Sequence, residues 1–439
     1  MGYRVLHIGV DDTDSKGGMC TTYVGAVARD RLLSLGLEEA DYPSLVRLNP
    51  NCPFKTRGNA AVALHMRCPA TLVDEAFKAV VEVVEELYER GYGDTQPGVA
   101  MRLGGSTPEE LRGFAYRAVT ELVELDEALN LAERHNIRIH RINGGRGVIG
   151  ALAAVSYELG EHTFEAIAYR TRDNWGTVRR VDRQSVFEMD RITRGRTFDN
   201  VDYEAGEVRV TPHTPCPVLA GVRALTAEDA LRGLGMIRFL EPVERVVVYR
   251  TNQATDKHLT ARRIEELKPY VNAVVEGVVS SRPSTIKGGH VFFKLSDGTG
   301  EVVCAAYEPT KTLKKIAKQL IPGDRVKAMG GVKPKPEGLT LNLEKLEILE
   351  LAELTVEKPP VCESCNRTMK SRGRGRGYEC WGCGSVKGDA ERRIVKLERG
   401  VRPGIYEAAA SARRHLSKPL ELCIRGVKRG GGEGSACYD

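Results

Sequence analysis

Residues 9–23 read GVDDTDSKGGMCTTY, and the conformation of this stretch decides what the N-terminal part of the chain can be. Three carboxylates, Asp11, Asp12 and Asp14, fall within four positions and precede Gly17, Gly18, a cysteine and the hydroxyls of Thr21 and Thr22. The segment before it, YRVLHIGV (3–10), is short, apolar and rich in β-formers, which predicts a buried strand. From Cys20 to about Leu35, apolar residues recur at Val24, Val27, Ala28 and Leu32, which predicts a helix. A strand–turn–helix unit places its ligands at the C-terminal end of the strand. Three carboxylates there repel one another unless a cation shares them. Mg2+, held by one or two carboxylates and by substrate phosphates, suits the turn. Gly17 and Gly18 let backbone amides approach phosphate oxygens, and the helix aims its positive end the same way. Thr21 and Thr22 stand where a phosphoryl group would arrive. A plain Asp/Gly turn that only caps the helix is the other reading.

Two further loops supply cations for such a site. NPNCPFKTRGN (49–59) carries Lys55, Arg57 and Asn59, and NGGRGVIGA (143–151) carries Gly145, Arg146 and Gly147. Both are punctuated by glycine, and both fit charge neutralisation around phosphates. No G-x-x-x-x-G-K-[ST] loop and no protein-kinase signature set is present, so any nucleotide use follows another architecture. AAVALHM (60–66) reads as a strand. TLVDEAFKAVVEVVEELYERG (71–91) reads as a helix with Val73, Phe77, Val80, Val81, Val84 and Leu87 on one face and Thr71 as its cap. Strands and helices alternate over residues 1–200, which implies a sheet with helical crossovers. Residues 201–268 form a smaller α+β unit, with strands near Glu207–Val210 and at 243–250 and a helix near Ala227–Leu234.

The 439 residues leave room for several domains. No apolar run is long enough to span a bilayer and the N-terminus lacks the pattern of a signal peptide, so the expected location is cytoplasmic, with no membrane partner. The net charge of +6 is uneven: from Val361 onward there are 17 Lys and Arg against 9 Asp and Glu. A basic end on a neutral body suggests contact with a polyanion, against the alternative of a solvated tail.

Residues 269–352 follow a β-β-β-α-β-β order with the hairpin turn SDGTG (296–300), which resembles an OB-fold barrel of the kind that takes single-stranded nucleic acid. Phe292, Phe293 and Tyr307 are its aromatics, each a candidate for core or for base stacking. Within 358–398, Cys362-x-x-Cys365 and Cys380-x-x-Cys383 have the spacing of a four-thiolate Zn2+ ribbon. The tip between the knuckles carries Arg372, Arg374 and Arg376, which suit nucleic-acid contact. Cys423 and Cys437 stand alone and read as ordinary thiols in a basic C-terminal segment, 399–439.

The motifs GVDDTDSKGGMCTTY, RLNPNCPFKTRGNAAVALH, NGGRGVIGALAA, HTFEAIAYR and TPHTPCPVLAGVR, followed by the barrel and the ribbon, resemble those of the archaeal tRNA(Ile) 2-agmatinylcytidine synthetases. The resemblance covers nearly the whole chain. It implies a multidomain α+β protein: a kinase-like α/β catalytic domain over 1–200, a ferredoxin-like domain over 201–268, then the OB-fold and zinc ribbon. It implies a ligase that uses ATP to join agmatine to C2 of the wobble cytidine of tRNA(Ile), so that the base pairs with adenine and AUA is read. It also implies autophosphorylation at the threonine after the motif's cysteine, here Thr21, and agmatine bound near the junction of the first two domains. TPCP (214–217) and YRTNQATDKH (249–258) are candidates for agmatine contacts. The family's glycine loop reads G-N-G-R-G, where this chain has N-G-G-R-G at 143–147. No obligate protein partner is implied. The rival readings are a non-catalytic OB and zinc-ribbon binding protein, and ATP-dependent modification of another RNA base.

Overall fold

The computed structural model describes residues 2–388 and 391–426. The first strand, β1 (Tyr3–Asp11), runs into the aspartate turn, and the first helix, α1 (Thr21–Ser34), leaves it. Alternation along β1 sorts its side chains by face. Leu6, Ile8 and Val10 are wholly buried with Val24, Ala28 and Leu32 of α1 and with Phe77, Val80 and Val84 of the helix Val73–Leu87. Each such side chain, fully buried, contributes roughly 1.5–3 kcal/mol. Gly9 and Asp11 point to the opposite face, where the helix Val148–Ser156 lies. That helix approaches so closely that a Cβ on Gly9 would sit 2.2 Å from the carbonyl oxygen of Ala151.

β1 belongs to a sheet ordered Arg138–Arg141, Gly98–Leu103, β1, Ala60–Pro69, Ser44–Arg47, Val243–Thr251, Thr163–Arg170, Val218–Ala224, Thr197–Phe198. The helix Val73–Leu87 makes the expected crossover, because Ala60–Pro69 and Gly98–Leu103 run the same way on either side of β1. Both are antiparallel to β1 itself. The cause is the short strand Ser44–Arg47, which folds directly back on Ala60–Pro69 and reverses the chain once more. Thr71 does not cap the second helix: a 3-10 turn, Ala70–Leu72, leads into it without a side-chain cap.

The sheet continues without a break from the first unit into the second, joined by the parallel pair Ser44–Arg47 and Val243–Thr251. The expected division at residue 200 runs through one core, in which Ala166, Ala168, Val186 and Met189 pack with Val201, Leu219, Val222 and Leu234. The strand Thr163–Arg170 lies between Val218–Ala224 and Val243–Thr251, so residues 163–200 pack with those that follow them.

The OB segment closes as a five-stranded barrel from Asn272–Val279, Val291–Ser296, Glu301–Ala306, Arg325–Lys335 and Gly338–Glu350, with the helix Thr312–Ala317 inserted. Phe293 points into its core, while Phe292 and Tyr307 meet edge to face with ring centroids 6.2 Å apart. The ribbon stands on a two-stranded stem, Thr355–Lys358 against Arg393–Lys396.

The basic C-terminal segment is no solvated tail over its described part. Gly404–Glu407 adds a strand to the barrel. The chain then returns to the N-terminal units, where the carbonyls of His415 and Leu416 accept from the amides of Ala254 and Thr255, and Leu416 is buried in the core beneath the helix Val148–Ser156. Cys423 is disulfide-bonded and so is not the ordinary thiol its isolation in the sequence suggested. Cys437 and the rest of 427–439 lie outside the described residues.

This strap separates two truncations. Lys358 and Arg393 are cross-strand partners, so replacing 359–392 by a short turn should leave the denaturant midpoint of the body unchanged. Leu416→Ala should lower stability by about 2–5 kcal/mol, and a chain ending at Pro359 by more. Equal midpoints for the excised chain and the chain ending at Pro359 would contradict the strap.

Candidate functional site

The three aspartates, brought together by the end of β1, have different surroundings. Asp11 is buried, and a Cβ on Gly150 would lie 1.8 Å from its Oδ2, so the carboxylate rests on the first turn of the helix Val148–Ser156. The positive end of that helix faces it. Burial is the main reason its carboxyl is pushed well above the usual range, and the neighbouring Asp12 adds to the shift. Asp12 adopts a left-handed backbone (φ 55°) and accepts from Arg146 Nη2 at 3.0 Å. Burial pushes its carboxyl up to about 6, although Arg146 pulls the other way.

Asp14 does the capping. Its Oδ1 accepts from the Thr21 amide at 2.7 Å and from Thr21 Oγ1 at 3.2 Å, satisfying an open amide at the start of α1. Its Oδ2 accepts from Arg57 Nε at 3.1 Å. Arg57 also donates to the carbonyls of Gly18 and Met19, so it ties loop 49–59 to the aspartate turn. Arg146 bridges in the same manner, donating to the carbonyls of Asp94 and Phe54 and lying over the Phe54 ring.

Asp11, Asp12, Asp14, Thr21, Lys55, Arg57, Asn59, Arg146 and Gly147 all line one cavity of about 290 Å³. Lys55 has its ammonium pulled down to about 8, chiefly by burial and then by Arg414 and Lys333. It is a cation set among cations, and a phosphate would relieve it. Gly17, Gly18 and Gly145 do not line the cavity. Their missing Cβ atoms make room for Glu89 and Tyr92, for the Pro215 carbonyl and for the Arg141 side chain respectively. Gln96, which lies in no motif, and Gly150, near the end of NGGRGVIGA but not singled out there, also line the cavity.

A second cavity of about 280 Å³ shares Asp14, Thr21, Arg57, Gly58 and Ala60 with the first and reaches the second unit. TPCP lines it through Thr214 and Cys216, and Gln253 of YRTNQATDKH donates to Glu165, a buried carboxylate on its wall, at 2.5 Å. Arg47, Arg209 and Arg223 share that wall, with Arg47 and Arg223 paired to the carboxylate, and His415 from the strap completes the lining. The His415 imidazole is held neutral, its pKa well below the ordinary value, with Arg47 the largest influence, burial the next, and Arg223, Lys55 and Arg209 adding to them. Local patterns could not flag His415, since a fold-back from beyond the ribbon brings it there.

Among the described residues, only Cys362, Cys365, Cys380 and Cys383 bring three or more ligand atoms within 4.8 Å of one another. The donor set and spacing fit Zn2+. The three aspartates do not converge in this way. Arg372, Arg374 and Arg376 lie on the tip between the strands Lys370–Ser371 and Tyr378–Glu379, far along the chain from both cavities.

Four family models match the chain: the TiaS TCKD domain over residues 7–144, the TiaS FLD domain over 145–258, an OB-fold nucleic acid binding domain over 273–349 and the TiaS C-terminal zinc ribbon domain over 359–401. The tRNA(Ile) 2-agmatinylcytidine synthetase TiaS of Thermococcus sibiricus is 44% identical over 420 residues, covering 95% of this chain and 96% of its own. The protein of the same name from Pyrococcus horikoshii is 44% identical over 418 residues, covering 95% and 97%. The crystal structure of TiaS in complex with its isoleucine tRNA and ATP superposes with a TM-score of 0.86 at 40% identity, covering 98% of this chain and 99% of that one. The complex of TiaS with the same tRNA, AMPCPP and agmatine gives 0.83 at 38% identity, covering 98% of both.

The raised carboxyl of Asp12 carries a sign for stability. The fold binds this proton more tightly than the unfolded chain does, so ionising Asp12 removes stability as pH rises from about 4 to about 6. Asparagine tolerates the left-handed backbone. Asp12→Asn should therefore melt close to the unsubstituted protein at pH 4 and several degrees above it at pH 7, by calorimetry. A constant difference across that range would contradict the assignment.

Proposed function

The chain belongs to the family of tRNA(Ile) 2-agmatinylcytidine synthetases, and we propose how its own residues carry out that family's chemistry. The reaction is the ATP-dependent joining of agmatine to C2 of the wobble cytidine in tRNA(Ile). The observation that carries the residue-level reading is the cavity at the end of β1, where aspartates, Lys55, Arg57, Arg146 and the start of α1 meet.

A cytosine C2 carbonyl is a poor electrophile, and its oxygen is a poor leaving group. Transfer of a phosphoryl group from ATP to that oxygen turns it into a leaving phosphate. The primary amine of agmatine, once deprotonated, adds to C2, and the C2–O bond then breaks with its electrons on the departing phosphate. The site supplies position and charge for these steps. Lys55, Asn59, Arg146 and Gly147 line the side of the cavity that takes the phosphates, with the Gly147 amide itself donating to the Gln96 carbonyl at 2.9 Å. Asp11 and Asp12, buried beside each other, fit Mg2+, which would screen their charge and that of the phosphate oxygens. Asp14 Oδ1 is within reach of the Thr21 hydroxyl proton, which suits Thr21 as phosphoryl acceptor and Asp14 as the group that takes its proton.

The shared wall of the two cavities puts Thr21 between them, so a group leaving the nucleotide has a short path to the second. The arginine surplus of the second cavity suits the phosphates beside an extruded cytidine, whose removal from the stack costs a few kcal/mol. Grip by the barrel and ribbon elsewhere on the tRNA offsets that. No helix among the described residues is long and apolar enough to cross a membrane; a cytoplasmic location is our inference from the tRNA substrate.

Incubated with tRNA(Ile), ATP and agmatine, the protein should add to the tRNA the mass of agmatine less one water, located at the wobble cytidine. Spermidine or lysine in place of agmatine should add nothing. Asp12→Asn should lower the rate roughly 100-fold or more. Thr21→Val should remove protein labelling by γ-labelled ATP. An unchanged tRNA mass would overturn the functional reading, and full activity of Asp12→Asn the assignment of Asp12.

A further inference from the structure

Trp381 sits between the two cysteines of the second knuckle and is 76% exposed. Large aromatic side chains contribute most when buried, so an indole held out in water at a fixed point marks a surface that something covers. Backbone order around it is set by the thiolate site on both sides, which lowers the entropy lost when a ligand lands there. Lys370 Nζ lies 3.6 Å from the ring centroid and covers one face. Arg367 lies alongside, since a Cβ on Gly382 would sit 2.8 Å from its Nη1. The loop between the paired strands Lys370–Ser371 and Tyr378–Glu379 adds Arg372, Arg374 and Arg376. Arg372 is 3.7 Å from Glu379, whereas Arg374 and Arg376 have no carboxylate partner among the described residues.

We propose that Trp381 is a stacking platform for one unpaired nucleobase of the tRNA, with Lys370 behind the ring and Arg374 and Arg376 on the adjoining phosphates. This rests on the reading above only for the identity of the RNA. Every base has a π-face, so stacking of this kind holds a strand without reading its sequence, while the arginines supply a salt-dependent grip. The unmatched positive charge around the indole favours a polyanion over an apolar protein surface. Recognition here would hold the tRNA while the wobble base is worked on in the cavities of the N-terminal units.

The test uses the full chain loaded with zinc. Trp175 and Trp381 are its two tryptophans, so Trp175→Phe leaves Trp381 as sole reporter. Its emission should be quenched on titration with tRNA(Ile). Trp381→Ala should weaken tRNA binding between about 5-fold and about 100-fold, with the slope of affinity against salt unchanged and one zinc per chain retained. Trp381→Phe, which keeps a ring, should recover most of the loss. In Trp381→Ala, autophosphorylation without tRNA should be unaltered. Tight tRNA binding with no quenching, or equal affinity of Trp381→Ala, overturns this inference and leaves the enzymatic reading standing. A protein that binds no tRNA at all overturns both.

Discussion

Burying negative charge at the end of one strand is the constraint around which the N-terminal half of this protein is arranged. Asp11, Asp12 and Asp14 lie too close together and too far from water to be stable as a group of bare anions. Each is compensated differently: Asp11 by the start of the helix Val148–Ser156, Asp12 by Arg146, and Asp14 by the Thr21 amide and Arg57. These contacts draw three separate loops to one point. The closeness of the helix to β1 depends on glycine at positions 9, 98 and 150, where a Cβ would meet backbone or carboxylate atoms at 2.2 Å or less.

The same arrangement explains why the site is a cavity. Arg57, Arg146 and Lys55 each spend part of their hydrogen-bonding capacity on loop carbonyls, so they brace the walls, and Lys55 does so with other cations beside it. The cavity thus has the carboxyl groups of Asp11 and Asp12 in one part of its lining and the ammonium of Lys55 in another. A magnesium nucleotide has the complementary pattern. The strap from beyond the ribbon then encloses the second cavity with His415 and locks barrel and catalytic units together through Leu416.

Much of this was legible in the sequence, for identifiable reasons. The alternation of β1, the periodicity of α1, the turn SDGTG and the paired C-x-x-C knuckles are local signals that act over a few residues. The grouping of Lys55, Arg57 and Arg146 with the aspartates followed from chemistry, because crowded carboxylates need cations. What the sequence hid is long-range. The link between Asn51 and the barrel, with its Nδ2 donating to the Val332 carbonyl at 2.7 Å, joins residues 281 apart. The strand Ser44–Arg47 is short and only half-patterned, and missing it hid the antiparallel run of β1 and the continuity of the sheet across residue 200. Gly17 and Gly18 looked like phosphate-loop glycines, yet they serve close packing against Glu89, Tyr92 and Pro215.

The most direct measurement is a crystal structure of the full chain with magnesium and a non-hydrolysable ATP analogue. The account predicts a triphosphate lying between Asp11 and Asp12 on one side and Lys55 and Arg146 on the other, with the metal on the aspartate side. A triphosphate bound elsewhere, with the β1 cavity left open to water, would contradict it.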